Sequence, residues 1–186
     1  MASNTCPALA SILAANECQE NFAGLAVDVY VGLKSDLKAP LKETDGVYTI
    51  PKSDFLNTGK NLYKFQCKED SQQITGESLG RRKGFKITFN FVLEAVNAAS
   101  AKVGRALNNL DVFFIVADGD QMQIVYDPNR KVTFDSGGIK TDTGAKAEDD
   151  RQVTCAGVLS PVKYPNLYCD ATAEDLEKLL SPAEAA

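Results

Sequence analysis

Hydrophobic and polar residues alternate in the middle of this 186-residue chain. From Phe85 to Leu93 every odd position is apolar, while Lys86, Thr88 and Asn90 lie between them. Alternation with a period of two places the apolar side chains on one face of a β-strand. The pattern therefore predicts a long strand with one buried face and one solvent-exposed face.

The next residues change to a helical spacing. Val96, Ala99, Val103 and Leu107 recur three and four residues apart, which is typical of the apolar face of a helix. We therefore predict a short amphipathic helix from Glu94 to Leu107, ended by the pair of asparagines that follows.

A strand pair is predicted after this helix. Val112–Val116 is entirely apolar, which favours a strand covered on both faces. The turn Asp118–Gln121 contains a glycine that can adopt a positive φ, and Met122–Tyr126 returns as the partner strand. Other segments predict strands at Leu25–Leu33, Leu62–Cys67, Lys131–Phe134 and Gln152–Leu159.

The ends of the chain predict short helices. Pro7–Ala15 has a proline suited to a first turn, and Thr172 can cap a C-terminal helix with a leucine stripe. Ser160-Pro161 is expected to end the last strand, and Tyr164–Tyr168 to form a short segment at a sheet edge. About seven to nine strands with one central helix predict a mainly β, α+β fold, an antiparallel β-sandwich or barrel. Without repeats or a linker, residues 1–186 are expected to form a single domain.

Two long connections interrupt this plan. Asp135–Arg151 is rich in glycine and aspartate, and Lys34–Lys60 includes a predicted hairpin around Asp45-Gly46. Connections of this length are uncommon in a compact domain unless they have a function. The Lys34–Lys60 segment is either a mobile surface loop or a projecting arm that packs on a neighbouring copy. In the second interpretation the neighbouring copy buries the apolar residues of the segment, namely Leu37, Leu41, Val47, Tyr48 and Ile50, which would otherwise be exposed.

Two charged turns are also candidates for contacts. Arg81-Arg82-Lys83 lies among glycines, but it precedes a strand and lacks the Gly-Lys-Ser/Thr ending of a phosphate-binding loop. We therefore predict an exposed basic turn at a sheet edge. Glu148-Asp149-Asp150 predicts a solvated acidic turn, and a further hypothesis pairs the two turns between neighbouring copies.

Composition limits the possible chemistry. The chain has 44% hydrophobic and 24% charged residues, as globular proteins do, and its net charge of −5 argues against a protein that holds nucleic acid. The chain has no histidine, so the usual general base near neutral pH is absent. A remote alternative is an enzyme that uses the carboxylates of Asp118, Asp120 and Asp127.

No cofactor or metal is predicted. The five cysteines are expected to be reduced thiols, and a zinc site is disfavoured because the chain has no histidine and no CxxC pair. The aspartate spacing of a calcium-binding loop is missing from Asp135–Arg151. The start of the chain carries no basic residue, and the apolar piece Ala8–Ala15 is too short to span a bilayer, so we expect neither a signal peptide nor a membrane segment.

The order of these elements resembles the major tail protein, or tail tube protein, of long-tailed bacteriophages. The inner tube of contractile injection systems is related to that family. The resemblance covers Leu62–Leu159. It rests on Phe85–Phe91, the helix Glu94–Leu107, the run Val112–Gly119, and the loop ending Thr143-Gly144-Ala145 before the strand at Val153.

This resemblance implies a β-sandwich subunit that forms hexameric rings, which stack into a hollow tube. DNA passes through such a tube without specific binding, other tail proteins are partners, and the family has no catalytic residues. The resemblance thus implies a virion protein, assembled in the cytoplasm of the bacterial host. The alternatives within this class are a head-tail joining protein or a capsid decoration protein. We predict self-assembly contacts at Leu41, Val47, Tyr48, Ile50, Arg81, Arg82, Lys83, Glu148, Asp149 and Asp150.

Overall fold

The structure, a computed structural model, describes residues 24–51, 54–81, 83–94, 96–146 and 149–180. The predicted N-terminal helix therefore lies outside the described residues. The strands are β1 (Asp28–Leu33), β2 (Lys42–Thr44), β3 (Val47–Thr49), β4 (Tyr63–Gln66), β5 (Gln73–Ser78), β6 (Phe85–Glu94), β7 (Val112–Asp118), β8 (Gln121–Val125), β9 (Ile139–Asp142), β10 (Gln152–Val162) and β11 (Tyr168–Cys169). The helices are α1 (Ala98–Asn109), α2 (Ala173–Glu177) and a 3-10 turn at Lys34–Asp36.

The strands form two sheets. The seven-stranded sheet has the order β2-β3-β11-β8-β7-β1-β4, and the four-stranded sheet has the order β5-β6-β10-β9. Every pairing between these strands is antiparallel except the parallel pair β11–β3. The predicted β-rich α+β class is confirmed. In the described part of the chain neither sheet closes into a barrel.

Aromatic side chains from both sheets meet in one core. The ring of Phe114 on β7 lies 5.3 Å from that of Phe89 and 5.6 Å from that of Phe91, both on β6. Its neighbour Phe113 points to the opposite face of β7, where its ring lies 5.9 Å from that of Phe55. Successive strand residues face opposite ways, so both faces of β7 are covered, as the continuous apolar run predicted.

The predicted Asp-Gly hairpin is present in the Lys34–Lys60 segment. Asp45 and Gly46 both have positive φ, 50° and 87°, which is the geometry of a two-residue hairpin turn between β2 and β3. The expectation that the apolar residues of this segment would be exposed without a neighbouring copy is wrong for all of those named except Val47, which is 42% exposed. Leu37, Leu41, Tyr48, Ile50 and Phe55 are all buried in the core. The segment covers the outer face of the seven-stranded sheet of its own chain, which removes most of its apolar surface from water.

The central helix begins later than predicted. β6 continues to Glu94, and Asn97 caps α1 by accepting a hydrogen bond from the Ser100 backbone N–H at 2.9 Å. The Ser100 hydroxyl accepts in return from the Asn97 N–H at 2.9 Å. This reciprocal cap fixes the helix start, and the helix includes the asparagine pair that was expected to follow it.

Two strands were missed because they lack an apolar alternation. β5 and β9 are the outer strands of the four-stranded sheet, and most of their side chains are exposed. A strand with two polar faces carries no period-two signal. The predicted strand at Lys131–Phe134 is reduced to one bridge between Thr133 and Val158.

The end of the chain differs from the prediction in two places. Ser160-Pro161 does not end β10, because the strand continues past a register shift and pairs Val162 with Phe85. The segment expected at a sheet edge contributes β11, which lies inside the seven-stranded sheet between β3 and β8. The C-terminal helix is confirmed, since the Thr172 hydroxyl accepts from the Asp175 N–H at 3.3 Å. No helix in the described residues has the length and apolar character needed to cross a membrane.

Candidate functional site

The apolar residues predicted for self-assembly are mostly unable to contact a second copy. Leu41, Tyr48 and Ile50 are buried within their own chain, and of the four only Val47 remains substantially exposed, at 42%. A side chain buried in its own core has little surface left for a partner. Of the four, Val47 alone keeps an accessible apolar surface.

The charged residues predicted for self-assembly lie at opposite ends of the four-stranded sheet. The turn with Arg81 and Lys83 joins β5 to β6, where Ser78 pairs with Phe85. Asp149 and Asp150 precede β10 at the other end. Arg82 and Glu148 lie outside the described residues. Since the ten-residue β6 separates these ends by roughly 30 Å, the two turns cannot meet within one chain.

The acidic end is defined by the turn residues and strand ends around Glu94. Six acidic residues and three basic residues of the described chain lie at this end. The acidic residues are Glu69, Asp70, Glu94, Asp142, Asp149 and Asp150, and the basic ones are Lys68, Lys146 and Arg151. Asp150 pairs with Lys68, and the Asp149 carboxylate accepts the backbone N–H groups of Ala145 and Lys146, both at 2.8 Å. These backbone hydrogen bonds lower the pKa of Asp149, so it stays ionised.

The basic end is defined by Arg81, Lys83, Lys86 and Lys163, with Glu77 as its acidic residue on the strands. Arg81 and Lys83 are exposed and form no ion pair with any described residue. The root of their turn lies against β10, because a Cβ on Gly84 would meet the Val162 carbonyl oxygen at 2.4 Å. Gly84 has a φ of +80°, which glycine adopts without strain.

A cleft of about 470 Å³ opens at this basic end, in the size range of binding clefts. It lies between the β2–β3 hairpin, the turn after β8 and the segment after β10. It is lined by Leu41, Glu43, Tyr48, Asp127, Pro128, Asn129, Arg130, Pro161, Val162, Lys163, Tyr164 and Leu167. The cleft was not predicted, because its walls come from three distant parts of the chain.

The charged groups of the cleft differ in how well they are paired. Glu43 accepts from the Gly46 N–H at 2.8 Å and pairs with Lys163 at 3.3 Å. One oxygen of Asp127 accepts from the Asn129 N–H at 2.8 Å. The Arg130 side chain is exposed and forms no ion pair within the described residues. The cleft therefore offers a guanidinium group that has no carboxylate partner.

The Tyr48 hydroxyl is a second unpartnered donor in the cleft. Tyr48 is only 4% exposed, yet its hydroxyl has no hydrogen-bond partner among the described residues. The neighbouring Tyr126 hydroxyl, in contrast, accepts from the Leu41 N–H at 3.3 Å. Burial first, and then the charges of Asp127 and Glu43, raise the pKa of Tyr48, which keeps the hydroxyl protonated. The Tyr48 oxygen is not among the fully buried side-chain atoms that lack a hydrogen-bond partner, so the hydroxyl reaches the open space of the cleft and does not by itself indicate a bound group.

The three carboxylates considered for catalysis are not brought together. Asp118 accepts from the Gln123 side-chain amide, and Asp120 lies exposed in the β7–β8 turn. Asp127 lies beyond the other end of β8, roughly 20 Å from that turn along the strand. In the described residues, no three His, Cys, Asp or Glu side chains are grouped to hold a metal.

Three of the five cysteines lie in the described part of the chain, and all three are buried free thiols. Burial raises the pKa of Cys67 to about 11 and that of both Cys155 and Cys169 to about 12. These thiols therefore remain protonated at neutral pH, as expected of core residues.

The outer edge of β5 is unpaired. β5 bonds to β6 along all six of its residues, and no described residue pairs with its other side. The other outer strands are better protected. Next to β4, the Leu62 N–H donates to the Leu179 carbonyl at 2.8 Å, and β2 and β9 carry Lys42 and Lys140, whereas β5 has no lysine.

No protein-family model, curated protein or solved structure matches this chain.

Proposed function

We propose that this protein is a self-assembling structural subunit of a phage tail tube. In this proposal its two sheets pack as a β-sandwich, and copies form hexameric rings that stack around a conduit for DNA. The protein is then a component of the virion tail, assembled in the cytoplasm of the bacterial host together with other tail proteins. The order of its elements and its acidic net charge support this function.

The open edge of β5 is the observation that carries the proposal. An edge strand presents a row of free N–H and C=O groups, which pair readily with a strand of another chain. Natural monomers usually block such an edge with lysine, proline or a bulge. β5 has the sequence Gln-Ile-Thr-Gly-Glu-Ser and pairs with β6 without a register shift, so it has no lysine, no proline and no bulge, and Glu77 is its one charged residue.

The contacts between the sheets support the sandwich arrangement. Phe114 also lies 6.4 Å from Phe134, a residue of the connection between β8 and β9. Thus β7 carries one aromatic side chain that contacts the β6 aromatics and another that contacts the Lys34–Lys60 segment. A subunit with this continuous, close-packed core is suited to form a rigid part of the tube wall.

The proposal is tested by concentrating the purified protein and following its assembly by sedimentation velocity and negative-stain electron microscopy. We expect rings and short tubes that increase with protein concentration. We expect Gln73→Lys/Thr75→Lys to prevent ring formation, because lysines on an edge strand oppose pairing with another strand. The two positions lie on one face of β5 and do not belong to the core.

Ala101→Lys/Asn108→Lys is the matched control, since it adds the same charge at exposed positions of α1. The control is expected to assemble like the wild type. A wild-type protein that stays monomeric at every protein and salt concentration, with no rings on the grid, contradicts the proposed function. Unchanged assembly of the β5 variant contradicts the edge contact.

A further inference from the structure

The four-stranded sheet carries opposite charge at its two ends. The acidic end has six acidic and three basic residues. The basic end has four basic residues and one acidic residue on its turn and strands, and the cleft beside it adds Arg130, Glu43 and Asp127, so this end has five basic and three acidic residues in all. At physiological salt the Debye length is about 8 Å, so charges separated by the length of β6 are screened from each other. The two ends are therefore independent surfaces of one subunit, and each attracts the other only across a contact between subunits.

The basic end also contains donors without partners. Arg81, Lys83 and Arg130 have no carboxylate partner among the described residues, and Arg130 lines the cleft beside the basic turn. These groups lie at one end because the register pairs Phe85 with Val162 and brings the basic turn next to the lining of the cleft. Guanidinium and ammonium groups both donate to carboxylates, so the exposed basic turn suits an acidic partner.

The acidic end supplies groups of that chemistry. Glu69 and Glu94 are exposed and form no ion pair with the described residues, and Asp150 is held only by a surface pair with Lys68. Surface pairs of this kind contribute about 0–1 kcal/mol, so they are easily exchanged for a contact with another chain. The charge complementarity on one and the same chain makes a second copy the occupant that fits.

We propose that the acidic end of one copy docks on the basic end of the next, so that copies stack head to tail along the direction of β6. This inference rests on the self-assembly proposed above and names the surfaces that join one ring to the next. A head-to-tail contact that uses two different surfaces does not close on itself by a twofold axis, and it therefore extends into a filament.

Charge reversal at each end tests the contact. Arg81→Glu/Lys83→Glu reverses the basic end, and Glu69→Lys/Glu94→Lys reverses the acidic end. All four side chains are exposed, so both variants are expected to keep the wild-type circular dichroism spectrum. Each variant alone is expected to form rings without long tubes, with the protein concentration needed for tubes raised about tenfold or more, because like charges then face each other.

An equimolar mixture of the two variants provides the sharpest test. In the mixture the natural basic end of one variant faces the natural acidic end of the other, and the two reversed ends also carry opposite charge. We expect tubes to return when the variants are mixed. Lys102→Glu/Arg105→Glu, which makes the same change in net charge as the basic-end variant at exposed positions of α1, is the control and is expected to form tubes like the wild type.

The outcomes separate the two proposals. If the wild type forms tubes and either reversed variant also forms them at the same concentration, the stacking contact is overturned and the tail tube function stands. Failure of the folded variants to form tubes when mixed overturns it as well. If the wild type forms no assembly under any condition, the proposed function fails first, and the stacking contact fails with it.

Discussion

Replacing Phe114 by alanine tests whether the two sheets share one core. Phe114 is 0% exposed, and its ring lies 5.3, 5.6 and 6.4 Å from three other aromatic rings. Removing a buried phenylalanine ring costs about 3–5 kcal/mol, and an aromatic pair contributes about 0.5–1.5 kcal/mol beyond its buried area. Because three rings lose a partner, we expect Phe114→Ala to lower the free energy of unfolding by about 4–5 kcal/mol.

Urea unfolding, followed by circular dichroism, measures this loss. With a slope of roughly 2 kcal/mol per molar urea, the midpoint should fall by roughly 2 M. Phe114→Leu keeps most of the volume and should cost about 1.5 kcal/mol or less. Tyr63→Ala, at a residue that is 50% exposed, should cost under about 1 kcal/mol. A Phe114→Ala variant that loses less than about 1.5 kcal/mol with an unchanged slope would refute a core shared by both sheets.

Three further changes follow from single contacts. Asn97→Ala removes the reciprocal cap of α1 and should lower the free energy of unfolding by about 1 kcal/mol in urea titrations, whereas Asn97→Ser should retain most of it. Gly76→Ala places a Cβ 2.2 Å from the Pro165 carbonyl oxygen, so it should cost about 1–3 kcal/mol by the same assay, whereas Gly104→Ala, whose Cβ would meet its nearest atom at an ordinary 3.6 Å, should not destabilise the protein. The pKa of the Cys67 thiol rises from 9.0 unfolded to about 11 folded, and that of Tyr30 rises from 10.0 to about 12, mainly through burial. A group whose pKa is raised by folding contributes stability that is complete below its unfolded pKa and is lost as the pH rises through its folded pKa. The urea midpoint should therefore fall between about pH 9 and 12. A midpoint that stays constant over this range contradicts the burial of the two groups.

The strands that bury one face could be predicted from the sequence because burial imposes a period on the residues. The alternation in β6 and β10 and the continuous apolar run of β7 are of this kind. The β2–β3 hairpin was predicted for a different reason, since an Asp-Gly pair tolerates the two positive φ angles of its turn. β5 and β9 carry neither signal, and they become strands only because β6 and β10 offer them an edge.

The fate of the Lys34–Lys60 segment could not be decided from its sequence. Burial of its apolar residues is favourable, but a neighbouring copy and the outer face of the chain's own sheet can bury them equally well. The structure places Phe55 against Phe113 and buries Leu41 and Tyr48, so the sheet of the same chain covers the segment. The cleft was hidden for a related reason, because Tyr48, Arg130 and Lys163 become neighbours only through tertiary contacts.

The two proposed contacts act in different directions. Pairing along β5 extends the sheet in the hydrogen-bonding direction, perpendicular to the strands. Docking of the acidic end on the basic end extends the assembly parallel to the strands. A stacked-ring tube needs one contact of each kind, one within rings and one between them. The edge variant should therefore lose rings and tubes together, whereas the charge-reversal variants should lose only the tubes. If the edge variant instead lost only the tubes and the charge-reversal variants lost the rings, the two contacts would have been assigned to the wrong directions.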